Sequence, residues 1–110
     1  MAAVRFLSDW THQQSGDIRP GGSLRIEYDT RRLPLFRAER YGQRAWNINV
    51  YVRFHPGGQA HAGDVSLGAL VVSVPANATQ IELWFHNTDH TGGSAWDSSY
   101  SQNYWLDVVR

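Results

Sequence analysis

Alternation of apolar and polar residues recurs along this chain, whereas helical periodicity is almost absent. The longest example is residues 46–54, where Trp46, Ile48, Val50, Val52 and Phe54 fall on every second position. Shorter runs cover 24–28, 81–86 and 104–108, and further short segments lie near 3–7 and 67–74. Since successive side chains of a strand point to opposite faces, this period predicts strands that are each buried on one side. Gly, Pro and Asn turn residues separate the runs.

Strands buried on one side are typical of antiparallel sandwiches and small barrels rather than of parallel sheets. The 110 residues have the usual length of one domain, and we expect a single domain over 1–110. Segment 31–45 contains Pro34 and Gly42 and lacks a helix cap, so we interpret it as an arginine-rich connection. The sequence therefore predicts one all-β domain.

The residue types that are missing exclude several kinds of chemistry. The chain has no cysteine and no lysine, and all ten basic residues are arginine. Disulfides, thiol catalysis, thiolate–zinc sites and Schiff bases are thereby excluded. Ser98, Ser99 and Ser101 lie near Asp97 and His90 in sequence, but no Gly-x-Ser-x-Gly turn surrounds them. We expect no catalytic residues and no enzyme activity.

The distribution of charge bears on the kind of partner. Within 31–44, two aromatic residues lie between the arginines, and this combination is typical of nucleic-acid-binding surfaces. The formal net charge is zero, and residues 54–110 carry five acidic residues against Arg110 alone. We therefore expect neither a nucleic-acid partner nor, without a long apolar run or signal peptide, a membrane. A cytoplasmic location is the default expectation, and the lysine-free composition favours a bacterial source.

A polar segment rich in tryptophan and tyrosine, residues 84–105, is the candidate site. It brings together Trp84, Trp96, Tyr100, Tyr104 and Trp105 with His86, Asp89, His90 and Asp97. Aromatic rings beside short polar side chains are suited to a sugar. Alternation places Trp84 and Trp105 on the face opposite Leu83 and Leu106. An exposed position there would mark an interaction surface, but these indoles could instead pack beneath the loop, with Trp96 closing one end of the sandwich.

The same segment contains His and Asp side chains of the types that bind metal ions. His86 and His90 are four residues apart, which suits a shared metal only on a helix. Asp89 and Asp97 are weak candidates for calcium, which prefers oxygen ligands in irregular loops. The alternative is that both carboxylates accept hydrogen bonds from backbone N–H groups in turns. We predict no metal or other cofactor, with calcium as the weak exception.

The end of the chain resembles the closing motif of immunoglobulin-like starch-binding modules. Those modules have Trp-Asp, an Asn- and Gly-rich turn, and Asn-Tyr on the last strand. Trp96, Asp97, Asn103 and Tyr104 match this order, and residues 75–85 resemble the approach strand. The chain departs from the motif at 98–101, where the modules carry asparagines and a glycine. The resemblance implies an antiparallel immunoglobulin-like β-sandwich of about seven strands and a carbohydrate ligand.

A second resemblance, to an uncharacterised bacterial domain family, covers nearly the whole chain and implies no activity. It is carried by Val4-Arg5-Phe6, Asp9-Trp10, Pro20-Gly21-Gly22, Tyr28-Asp29, Arg32-Leu33-Pro34, Val52-Arg53-Phe54 and Leu83-Trp84-Phe85-His86-Asn87.

Taken together, the sequence predicts a non-catalytic binding domain, most like a carbohydrate-binding module. The predicted ligand residues are Trp84, Trp96, Tyr100 and Trp105, with Asp97 and Asn103 as polar partners. The alternative is a protein-interaction or structural, self-associating β-sandwich domain with no small-molecule site, whose partner is another protein or, in a homo-oligomer, a second copy of the chain.

Overall fold

In a computed structural model, which describes residues 2–33, 39–89, 93–98 and 102–109, the chain forms two packed β-sheets and a small hairpin. The strands are β1 (Ala2–Phe6), β2 (His12–Ser15), β3 (Ser23–Tyr28), β4 (Glu39–Arg40), β5 (Gln43–Arg44), β6 (Asn47–His55), β7 (Ala60–Asp64), β8 (Leu70–Ser73), β9 (Gln80–Thr88), β10 (Ser94–Asp97) and β11 (Tyr104–Asp107). A 3-10 helix, Thr30–Arg32, follows β3. Among the described residues no helix is long and apolar enough to cross a membrane.

One sheet has four strands in the order β2-β1-β3-β8, and the other has five. In the five-stranded sheet the order is β10-β9-β6-β7, and β11 also pairs with β9. Strand β10 pairs with β9 from Phe85 to Thr88, and β11 pairs with it from Gln80 to Leu83. Both strands therefore lie on the same side of β9, one after the other, and the break between them faces Trp84.

The core lies between the two sheets. Every second residue of β6 and β9 is buried, as the alternation in the sequence predicts. The rings of Phe6 and Phe85, from opposite sheets, meet edge to face with centroids 4.8 Å apart, and those of Tyr28 and Phe85 are 4.2 Å apart. Aromatic contacts of this kind add to the stability that apolar burial provides. The prediction of an all-β sandwich is confirmed.

Five strands lie outside the runs of alternation: the short hairpin strands β4 and β5, and the sheet strands β2, β7 and β10. The side chains of β2 are all exposed, and β7 lies at a sheet edge and has mostly exposed residues that are small or polar. In β10 the usual pattern is inverted, because Trp96 faces solvent while Asp97 is buried. Edge strands with polar or small residues bury little apolar surface, so they leave no hydrophobic period in the sequence.

Two details differ from the sequence-based expectation. Strands β1 and β3 pair in parallel, whereas all the other described pairs are antiparallel as predicted. Parallel neighbours require a crossover connection, and here β2 occupies part of that connection. The arginine-rich segment 31–45 contains the end of the 3-10 helix and the β4–β5 hairpin; its residues 34–38 lie outside the described part of the chain.

Candidate functional site

Aromatic side chains collect on the outer, solvent-facing side of the five-stranded sheet. Trp84 is directly opposite Tyr51 on β6, and Trp96 on β10 is opposite His86 on β9. Val50, Leu83 and Phe85 flank the three of these residues on β6 and β9 and point into the core, and Trp96 precedes the buried Asp97, so all four side chains point outwards. We refer to Tyr51, Trp84, His86 and Trp96 together as the aromatic face.

The rings of the aromatic face contact one another. Tyr51 and Trp84 are nearly parallel, with centroids 5.7 Å apart, and Trp96 lies 6.5 Å from Tyr51. The imidazole of His86 is 4.1 Å from the Trp96 ring, and the Arg53 guanidinium lies 5.8 Å from the centroid of Trp84. These contacts leave Trp84 half-buried, whereas 59% of Trp96 is exposed. The aromatic face is thus an ordered surface whose most accessible ring is Trp96.

Two open grooves border Trp84. The first, which we call the turn-side groove, is lined by Trp84, Trp96, Ser98 and Asn103 and has a volume of about 370 Å³. It lies at the break between β10 and β11, where the backbone N–H of Asn103 donates to the carbonyl oxygen of Ser98. A volume of this size is near the lower end of the range for small-molecule sites, roughly 300–1,000 Å³.

The second, the edge-side groove, lies on the other side of Trp84, towards the edge strand β7. It has a volume of about 330 Å³, and its lining comprises Tyr51, Val52, Arg53, Ala60, His61, Ala62 and Trp84. The groove is open because the β7 residues opposite Arg53 and Tyr51 are alanines, which have side chains too short to fill it. Trp84 is the residue that the two grooves share.

Trp105 belongs to a separate cluster at the β11 side of the same outer face. It is 47% exposed, and its ring lies 5.0 Å from the imidazole of His55. Glu82, which faces Trp105 across the strand pair, binds His55 Nε2 at 2.9 Å and accepts a hydrogen bond of 2.6 Å from the Asn103 amide. Burial opposes ionisation of Glu82, but the hydrogen bonds from Asn103 and His55 outweigh it and lower the pKa of this carboxyl.

Trp84 and Trp105 point away from the core, as the alternation predicted. The possible packing of Trp96 as a plug at the end of the sandwich is not observed, because Trp96 is exposed on the outer face. Trp105 is exposed and Trp84 is only partly covered. Tyr100, the remaining predicted aromatic ligand residue, lies outside the described residues.

The assignment of Asp97 as a polar partner of a ligand is wrong. Asp97 is buried between the sheets, and its Oδ2 accepts hydrogen bonds from Arg32 Nε at 2.9 Å and from the Tyr28 hydroxyl at 2.7 Å. The Tyr104 hydroxyl donates to its Oδ1. Because β10 inverts the usual pattern, its buried position carries a carboxylate, and this carboxylate needs such partners. Asp97 is part of the core and does not reach the groove.

The buried arginine that pairs with Asp97 was not identified from the sequence. Arg32 also donates to the carbonyl oxygens of Leu7 and Thr11 through Nη1, and to the Tyr104 hydroxyl through Nη2. Burial opposes its charge, but the hydrogen bond and charge of Asp97 prevail and raise the pKa of Arg32. Burial, together with the bond to Asp97, raises the pKa of Tyr104 to about 12. Nothing in the sequence of this arginine-rich segment distinguishes Arg32 from its exposed neighbour Arg31.

Asn103 is held in a strained backbone conformation at the turn-side groove. Its φ is +61°, in the left-handed region that asparagine tolerates better than most residues. Its side-chain amide donates to Glu82, so the position shapes the turn and also lines the groove. The matched Trp-Asp…Asn-Tyr residues therefore divide between the core, the surface and this turn.

The weak calcium candidates do not come together. Asp97 binds Arg32, and Asp89 Oδ1 accepts a hydrogen bond from the backbone N–H of Gly93 at 2.9 Å. Over the described residues no group of three or more His, Cys, Asp or Glu could hold a metal ion. His90 lies outside those residues. Burial lowers the pKa of His86, which favours a neutral imidazole beside Trp96.

Tyr51, Arg53 and the two alanines of β7 line the edge-side groove but were not identified from the sequence. In the sequence, Tyr51 and Arg53 only occupy positions between the apolar residues of the alternating run 46–54. The signal that would have identified Tyr51 is the register between β6 and β9, because this register places Tyr51 beside Trp84. That register is a long-range pairing, which the local pattern does not specify.

Among the curated proteins and solved structures compared with this chain, none matched. A family model does match, over residues 1–109, and its description is "Family of unknown function (DUF6209)". Because the match extends over nearly the whole chain, the chain belongs to this family of unknown function.

Proposed function

We propose that this chain is a non-catalytic carbohydrate-binding domain whose ligand lies on the aromatic face. The observation that carries the proposal is the exposed Trp96 beside Trp84, with the turn-side groove between these indoles and the polar side chains of Ser98 and Asn103. The C–H faces of a pyranose ring are apolar and stack on indoles, while its hydroxyls need hydrogen-bond partners.

The chemistry of the groove favours a polar, uncharged ligand. Ser98 and Asn103 can each donate and accept hydrogen bonds, and the carboxylate that contacts Asn103, Glu82, is held by His55 and Asn103. The likeness of Trp96, Asn103 and Tyr104 to the closing motif of starch-binding modules supports glucans as the first ligands to test. The surface is sterically open, so a ligand would reach it without rearrangement of the core.

Isothermal titration calorimetry with maltohexaose, cellohexaose and xylohexaose tests the proposal. We expect at least one of the three to bind, and Trp96→Ala to weaken that binding by at least about tenfold, as is usual for a central aromatic contact. Trp96 is exposed, so the variant should keep the wild-type fold, which circular dichroism would verify. No heat of binding with any of the three oligosaccharides would contradict the proposal.

Val71→Ala provides the matched control. Val71 is 47% exposed and lies on β8, in the four-stranded sheet, so the substitution removes exposed apolar surface away from the aromatic face. We expect unchanged affinity in this variant. An equal loss in Val71→Ala and Trp96→Ala would mean that the effect of Trp96 is not local.

A protein-interaction or self-associating domain is the second candidate. It is favoured by the edge strands β2 and β7, whose backbone is available to a further strand, and by the exposed aromatic rings, a residue type enriched at protein interfaces. Light scattering over a range of concentrations distinguishes the two candidates. A mass that rises with concentration, and falls in Trp96→Ala, would favour association through the aromatic face.

A further inference from the structure

The two grooves beside Trp84 form a path across the five-stranded sheet. The turn-side groove is bounded by Trp96 of β10 and by Asn103, and the edge-side groove extends to Ala60 and Ala62 of β7. Because Trp84 lines both, a ligand can pass from one groove to the other over a single indole.

The length of this path follows from the sheet geometry. Strands β10, β9, β6 and β7 are consecutive neighbours, so the path covers three strand spacings, about 14 Å. A single sugar ring occupies only one of the grooves, whereas a chain of linked rings can occupy both. We propose, as a deepening of the carbohydrate-binding function on which it rests, that the ligand is the interior of a sugar chain lying across the strands, in both grooves at once.

Three features of the edge-side groove support an extended ligand. Tyr51 lies directly between Trp84 and Ala62 in the cross-strand row, and its ring stacks on the Trp84 indole, so that an aromatic side chain lines the edge-side groove beyond Trp84. Ala60 and Ala62 leave space beside that row. The edge strand β7 has no further strand outside it in the described fold, so a chain can extend beyond the groove without a steric barrier.

Arg53 supplies hydrogen-bond donors in the edge-side groove. It is exposed and lies over Trp84, and its direct cross-strand neighbour is Glu82. The two carboxylate oxygens of Glu82 bind other residues, one His55 and the other Asn103. Within the described residues Arg53 forms no ion pair. Its guanidinium N–H groups are therefore available to the hydroxyls of a ring bound over Tyr51 and Trp84.

The test varies the length of the ligand and the space in one groove independently. Ala62→Trp adds bulk in the edge-side groove and leaves Trp84 and Trp96 unchanged. Wild type and variant are titrated with the disaccharide and the hexasaccharide of the maltose, cellobiose and xylobiose series. For wild type we expect the hexasaccharide that binds to do so at least about tenfold more tightly than its disaccharide. In Ala62→Trp we expect this advantage to be lost while the disaccharide affinity is unchanged.

Val71→Trp is the control, because it adds the same side chain on the outer face of the other sheet. It should bind both lengths like wild type. Equal affinity for both lengths in wild type, or a hexasaccharide affinity that Ala62→Trp leaves unchanged, would overturn the extended site while leaving the carbohydrate function intact. Absence of binding by all six sugars would overturn the carbohydrate function itself.

Discussion

Arg32 and Asp97 form an ion pair of 2.9 Å between side chains that are almost completely excluded from solvent. Arg32 ends the 3-10 helix that follows β3 of the four-stranded sheet, and Asp97 ends β10 of the five-stranded sheet. The pair therefore connects the two layers of the sandwich, and the hydroxyls of Tyr28 and Tyr104 complete its hydrogen bonding. Asp97 lies next to Ser98 in the chain, so the pair also anchors one wall of the turn-side groove.

We predict that Asp97→Asn lowers the free energy of unfolding by about 3–5 kcal/mol, because it leaves the charge of Arg32 buried without its counter-ion. Urea denaturation followed by circular dichroism measures the change. Combining Asp97→Asn with Arg32→Met should cost less than the sum of the single variants. Additive losses would show that the two side chains are not coupled.

The ion pair between the half-buried Asp29 and the exposed Arg31 should account for part of the loss of stability at low pH. The hydrogen bond from the Arg31 side chain, assisted by the Arg31 backbone N–H, lowers the pKa of Asp29 from 3.8 to about 2. A carboxyl with a depressed pKa in the folded state contributes stability that is complete above its unfolded pKa. That contribution is lost as the pH falls from about 3.8 through about 2.

The measurement is the midpoint of urea unfolding at several values of pH across this interval. In Asp29→Asn the midpoint should fall less steeply with decreasing pH than in wild type. Asparagine remains a suitable cap for the 3-10 helix, so the effect isolates the charge. Arg31→Gln should flatten the profile in the same way, and a wild-type slope in both variants would refute the assignment.

The turn at Asn103 gives a prediction about backbone strain. With φ at +61°, alanine at this position suffers the left-handed penalty, whereas glycine does not. Both substitutions remove the hydrogen bond to Glu82, so their difference measures the backbone alone. We expect Asn103→Ala to be less stable than Asn103→Gly by about 1–2 kcal/mol in thermal or urea unfolding. Equal stability would mean that the turn can change its conformation.

The contact between His86 and Trp96 can be followed by fluorescence. A protonated imidazole quenches a neighbouring indole, and the rings are 4.1 Å apart. Burial lowers the pKa of His86 from its ordinary 6.5, so the emission of Trp96 should decrease only as the pH falls below that value. The difference between wild type and His86→Gln isolates this step from the other tryptophans. A difference titration centred above pH 6.5 would contradict the proposed burial of His86.

The local sequence was sufficient for the fold class and for the orientation of most of the aromatic residues. Alternation in β6 and β9 placed Val50, Leu83 and Phe85 in the core and Trp84 on the opposite side, because the two-residue period of a strand is a property of the backbone itself. It also placed Trp105 on the outer face, where the structure has it.

Tertiary structure alone decided which side chains meet. Asp97 and Arg32 are 65 residues apart, and no local pattern marks either as buried. The register of β6 with β9 brings Tyr51 beside Trp84, and the small residues of the edge strand β7 open the groove next to them. Such contacts depend on pairings between distant segments, which the two-residue period leaves undetermined. The sequence thus determined the faces of the strands, and the packing of the sheets determined the site.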